Sequence, residues 1–146
     1  MRFITVGLGS DGRSRVIEER EITHHSTLAT GVFKSNTLWS TSEQPPEVPC
    51  ARRKVDGAWV DVECVPGGTR WFTVAFGPEH KVNMHHTSTI DYDVIIAGQV
   101  TLGLEVGEIV LHPGDCVLIP GCMHSWSAGP DGCSFSATVL ALAPVT

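Results

Sequence analysis

Residues 84–92 read MHHTSTIDY, placing two imidazoles, two threonines and a carboxylate just ahead of a strongly apolar run. Alternate residues of a strand share a face, so His85, Thr87, Thr89 and Asp91 point one way, and His86, Ser88, Ile90 and Tyr92 the other. Downstream, GDCVLIPGCMHSW delivers His124 just after Pro120 and Gly121, with Trp126 following on the same face. Two imidazoles and one carboxylate drawn from two strands suit a divalent iron, manganese, zinc or nickel ion with positions left open for substrate. His85, Asp91 and His124 are therefore the expected metal ligands, with Thr87, Thr89 and Trp126 lining the pocket and His86 and Tyr92 as candidate catalytic proton carriers. The plainer alternative is a polar strand: seven histidines in 146 residues bring two close by chance often enough.

Positioning these residues calls for strands. Fifteen Gly and nine Pro punctuate short runs rich in Val, Ile, Thr, Phe and Trp, and no stretch carries a helical apolar period over three turns. The patterning predicts strands at 2–6, 15–19, 31–39, 70–76, 93–98, 100–105, 108–112, 115–120 and 134–142, closing into an antiparallel sandwich or barrel from residue 70 onward. EVGE at 105–108 and LHPGD at 111–115 read as hairpin turns that bring the two candidate site segments together. Residues 1–69 read as N-terminal strands and a Pro-rich loop packed on a barrel core of residues 70–146, within one domain. The segment from Ser40 to Gly68 is a long loop or arm with four prolines.

Composition narrows the partners. Hydrophobic residues at 42% and charged residues at 18% are ordinary for a globular chain, and no apolar run reaches membrane-span length. The first residues lack the pattern of a secretory signal, so a soluble cytoplasmic protein is expected. Net charge is −6, and the basic cluster Arg52, Arg53 and Lys54 has no interleaved aromatics, so neither nucleic acid nor membrane is an expected partner. Cys50, Cys64, Cys116, Cys122 and Cys133 are odd in number and form no C-x-x-C pair, so they read as reduced thiols. Trp39, Trp59, Trp71 and Trp126 suggest an aromatic interior, while His24, His25, His80 and His112 read as surface histidines.

The two site segments together resemble the paired motifs of the cupin superfamily. DYDVIIAG, Asp91 through Gly98, is similar to the end of the first motif with Asp replacing the usual Glu; GDCVLIPGCMH is similar to the second, with one residue fewer before His124 and Ala128 in the usual Asn position. The stretch from Met84 to Trp126 looks like a subgroup of small single-domain cupins with the patterns H-R-T-x-T-I-D-Y and P-G-D-x-x-x-x-x-G-x-x-H-x-W, and the likeness extends upstream through LWSTSEQP and PGGTRWFTVAF. It implies an all-β, double-stranded β-helix (jelly-roll) barrel with an N-terminal arm, and a homodimer. Two departures stand out. Thr87, or Met84 if His86 takes the second histidine position, stands where the family places a ligating histidine, and His86 stands where the subgroup shows Arg.

The resemblance implies an enzyme acting on a small-molecule substrate. The leading expectation is a single divalent metal used as a Lewis acid on an oxygen-rich carbonyl or carboxylate compound, for decarboxylation, cyclisation, isomerisation or dehydration. The alternatives are a non-haem iron dioxygenase and a metal-free cupin that binds a small molecule or serves as an auxiliary protein.

Overall fold

The computed structural model describes residues 1–22, 25–26, 34–35, 38–39 and 67–142. The expected strand at 31–39 and the Pro-rich arm fall largely outside the described residues, as do His24, Cys50, Cys64 and Trp59.

The described chain is built from strands alone: β1 (Arg2–Leu8), β2 (Ser14–Glu21), β3 (His25–Ser26), β4 (Lys34–Ser35), β5 (Thr69–Phe76), β6 (Lys81–His85), β7 (Thr89–Leu104), β8 (Glu108–Leu111), β9 (Cys116–Pro120) and β10 (His124–Ala141). Eight form one sheet in the order β2-β1-β9-β7-β10-β5, with β6 added beside β10 and β8 beside β7; β3 and β4 pair separately. Among the described residues no helix is long and apolar enough to cross a membrane.

Two long strands organise the sheet. β7 and β10 run antiparallel along almost their whole length, from His124 opposite Leu104 to Ala141 opposite Thr89, but the ladder breaks between Ala128 and Cys133. At that break Gly98 has φ +72°, and a Cβ there would lie 2.1 Å from the Gly132 carbonyl oxygen. Only glycine permits both the left-handed backbone and the close approach, so the sheet turns its corner here. The separate strands expected at 93–98 and 100–105 are thus one bent strand.

β9, CVLIP, is buried at all five positions. Its side chains alternate between two apolar clusters: Val117 and Ile119 join Ile4, Val6, Ile95, Leu102 and Phe135, while Cys116 and Leu118 join Phe3, Ile22, Ile90 and Leu142. A strand covered on both faces reads as an unbroken apolar run. β1 is what flanks it, pairing parallel with Phe3 opposite Cys116 and Thr5 opposite Leu118. The N-terminal strand is therefore a member of the main sheet, and Ile4 and Val6 belong to its central core.

The turn from β8 to β9 is tied by Asp115, whose carboxylate accepts the backbone N–H of Arg2 at 3.0 Å, Arg2 Nε–H at 3.2 Å and the His112 N–H at 2.9 Å. Two expectations about aromatics and histidines resolve differently. His80 and His112 are exposed as expected, but Trp71 is 79% exposed, with its indole N–H donated to Ser136. Of the tryptophans, Trp126 is the one buried among the described residues; Trp39 is 42% exposed.

Candidate functional site

MHHTSTIDY is two strand ends and a bend rather than one strand. β6 stops at His85 and β7 begins at Thr89, yet the alternation survives the bend: His85, Thr87, Thr89, Asp91 and Asp93 are all buried, and Ser88 is exposed. Ile90 breaks the pattern by being fully buried on the opposite face, where Phe3 and Leu142 cover it.

His85 ends β6 and His124 begins β10, and the two are direct partners across the antiparallel pair. Their rings lie 4.4 Å apart, centroid to centroid, tilted by 55°. Each ring is pinned in the same way: Nδ1–H of His85 donates to the Asn83 carbonyl at 2.8 Å, and Nδ1–H of His124 donates to the Cys122 carbonyl at 2.9 Å. A carbonyl only accepts, so Nδ1 carries the hydrogen in both, and Nε2 is the nitrogen each ring turns away from that anchor. Burial, the neighbouring His85 imidazole and, more weakly, His86 push His124 down to about 4, so that it stays neutral across the neutral pH range.

On β7 the face shared with Thr87 and Thr89 carries two carboxyl groups. Thr89 Oγ1 donates to Asp91 and lies 2.7 Å from Thr87 Oγ1. The Thr89 hydroxyl thus links Thr87 to Asp91 along one face. Burial pushes the Asp91 carboxyl up to about 6 despite that bond, and burial together with the Asp91 charge raises Asp93 well above the usual carboxylate range. Asp93 Oδ1 is buried without a hydrogen-bond partner among the described residues.

These polar groups meet in one cavity of about 230 Å³. His85, His124, Thr87, Asp91 and Asp93 form its polar end; Phe72, Val74, Phe76, Val82, Trp126, Phe135 and Ala137 form the rest. The aromatic side is interlocked: Trp126 stacks on Phe135 at 5.0 Å, and Phe135 meets Phe76 edge-on at 5.7 Å.

The structure thus gathers His85, His124, Asp91, Thr87 and Trp126 at one place, with Thr89 just behind Asp91. It does not bring His86 or Tyr92 there. His86 is partly buried outside the cavity lining, and Tyr92, on the opposite face of β7, packs against the Phe3 and Leu118 cluster with its hydroxyl bonded to Trp39. Burial pushes that hydroxyl up. Strand parity sets both on the face away from the cavity, so the proton-carrier roles expected of them find no support in its lining. Asp93 and the phenylalanines are the residues missed; continuing the alternation two positions past Asp91 finds Asp93.

The expected three-ligand centre also meets a geometric obstacle. The two imidazoles converge, but among the described residues no three His, Cys, Asp or Glu side chains come close enough together to hold one ion. Asp91 is a methylene shorter than the usual Glu and is tied to Thr89 on its own strand, and Thr87 has no nitrogen to offer. The donor set as it stands does not fit a three-residue metal site.

Sequence comparison agrees with the cupin resemblance. The chain is 29% identical over 133 residues to a cupin-domain-containing oxidoreductase of Aspergillus ruber, an alignment covering 86% of this chain and 63% of that protein. It is 27% identical over 134 residues to a cupin-domain-containing oxidoreductase of Neurospora crassa, covering 86% and 64%. The chain carries a cupin barrel. This cupin spans a little under two thirds of the length of those relatives. No family model matches it. A solved cupin domain from an Enterobacter cloacae transcriptional regulator superposes on 49% of the chain and 80% of that domain, with a TM-score of 0.43 and 17% identity.

Proposed function

We propose that this cupin is a small-molecule enzyme that moves protons on a substrate held in the aromatic cavity, an isomerase- or lyase-type chemistry in which the chain's own imidazoles and carboxyl groups carry the proton. The observation supporting it is the pair of imidazoles held side by side with Nδ1 anchored, in a cavity whose same end holds two buried carboxyl groups. A ring fixed by a main-chain acceptor offers Nε2 in a defined direction with little reorganisation to perform.

His85 Nε2 is the base that removes a proton from carbon next to a carbonyl, or from an enol. His124, neutral and deeply buried, accepts a hydrogen bond from the substrate and orients it. Asp91, whose carboxyl at about 6 exchanges its proton near neutrality, returns a proton to the oxygen or carbon on which charge develops, and Asp93 next to it keeps the pair from ionising together. The apolar walls lower the local dielectric and so strengthen each of these interactions. Because the residues do not fit a three-ligand ion, no step is routed through one.

The test is deuterium uptake from D2O into the methyl group of a hydroxyacetophenone, followed by NMR with chelator-treated protein. Uptake is expected to persist after chelation and to fall by about 100-fold in His85→Gln. Uptake that vanishes on chelation and returns with one equivalent of a transition metal, or that is indifferent to His85, overturns the reading.

A further inference from the structure

A count of hydrogens in the cavity points to what it binds. Both imidazole Nδ1 hydrogens are committed to the carbonyls of Asn83 and Cys122, and the Thr89 hydroxyl is engaged by Asp91 and Thr87. The anchored imidazoles therefore present their Nε2 atoms to a ligand. Beside them Asp93, 3% exposed and lining the same cavity, has an Oδ1 with no hydrogen-bond partner among the described residues. A buried polar atom left unpaired is costly, and a hydrogen bond to a ligand hydroxyl, which can both donate and accept, repairs it.

The walls restrict the rest of the ligand. Phe72, Phe76, Trp126 and Phe135 give the cavity flat aromatic faces that favour a stacked ring. A cavity of roughly 150 Å³ accepts benzene, so about 230 Å³ holds one substituted ring. A carboxylate or phosphate would bring further negative charge beside two buried carboxyl groups; a plain hydrocarbon would leave Asp93 unpaired.

We propose that the ligand of this cavity is a small hydroxylated aromatic molecule, a phenol whose free hydroxyl donates to Asp93 or to an imidazole Nε2 while its ring lies among the aromatic side chains. The inference rests on the cavity being the substrate site of the proposed function, but it makes no use of proton transfer.

Calorimetric titration of the unmodified protein at neutral pH with resorcinol, its dimethyl ether and benzoate tests it. Resorcinol is expected to bind at least about tenfold more tightly than the ether, because a site built to accept a hydroxyl rejects the analogue that lacks one, and benzoate is expected to bind no better than the ether. Asp93→Leu is expected to narrow the preference for resorcinol over the ether; should that variant fail to fold, the ligand series on the unmodified protein decides alone. Equal affinity for the ether, tighter binding of benzoate, or no binding of resorcinol overturns the proposal. Binding is read without turnover, so resorcinol binding in a protein that takes up no deuterium would remove the acid–base reading and leave this one standing.

Discussion

Asp91 and Asp93 stand two residues apart on one face of β7, both buried, so two carboxyl groups share a space where only one ionises readily. Such a pair favours its protonated form over the same groups in the unfolded chain.

The sign of its effect on stability follows. A carboxyl raised from 3.8 to about 6 holds its proton more tightly when folded, so its folded form is favoured below about 4 and that advantage is lost as pH rises toward 6. Asp91→Asn keeps an acceptor for Thr89 and removes the charge. Denaturation is expected to show the variant more stable than the parent by about 1–3 kcal/mol at pH 7.5, a figure set by roughly 1.4 kcal/mol for each pKa unit, with the gain shrinking toward pH 4. Equal stability at pH 7.5 would show that the carboxyl is not strained by burial.

Asp115 behaves in the opposite sense. Burial alone would raise its carboxyl, but the Arg2 guanidinium and the N–H groups of His112 and Arg2 outweigh it and hold the group below 3.8. Its contribution is therefore present above about 4 and lost as pH falls below that value. Asp115→Asn is expected to lose about 1–3 kcal/mol at neutral pH, the scale of hydrogen bonds to a charged group, and to differ little from the parent near pH 3. Because the pair ties β1 to the turn before β9, hydrogen exchange in β1 is expected to rise in the variant.

Much of this arrangement was legible in the amino-acid sequence because β-strand alternation is insensitive to where a strand is interrupted. The parity that joined His85 to Asp91 assumed one strand, and it holds across the bend at residues 86–88 because the buried face is continuous there. Tyr92 illustrates the opposite case: its neighbour Asp91 faces the cavity, so the parity that selected Asp91 excludes the tyrosine. What could not be read was whether three donors converge. Convergence depends on the curvature at Gly98 and Gly132 and on the Thr89 bond that holds Asp91 to its own strand, and neither leaves a periodic trace. The place of β1 inside the sheet was equally hidden, since a parallel pairing across more than a hundred residues has no local signature.

The corner itself is open to test by comparing two glycines of like backbone. Gly98 and Gly107 both have positive φ, +72° and +80°, but a Cβ at Gly107 meets nothing within 4 Å, whereas at Gly98 it would collide with the Gly132 carbonyl. Gly107→Ala is expected to cost about 1 kcal/mol, the left-handed penalty alone. Gly98→Ala is expected to cost about 3 kcal/mol or more, lowering Tm by roughly 10 °C in a chain of this size. Equal losses would mean that the corner is set elsewhere than at this contact.

Thr87 offers a gain-of-function test of why the donors stop at two. It lines the cavity on the face that carries His85 and is 4% exposed, so an imidazole placed there points toward the two Nε2 atoms already present. Three nitrogen donors around one point make a site for zinc or nickel where two do not, since each further ligand adds to affinity and the pinned rings already have their orientation paid. The exchange removes the hydroxyl behind Thr89, a loss of about 1 kcal/mol, which leaves a fold still able to bind. Thr87→His, purified without a histidine tag and passed through gel filtration after loading with zinc, is expected to retain about one equivalent by elemental analysis, against less than about a tenth for the parent. If the parent retains a full equivalent under the same treatment, the cavity closes around an ion by a rearrangement of Asp91, and the carboxylate must leave Thr89 to do it.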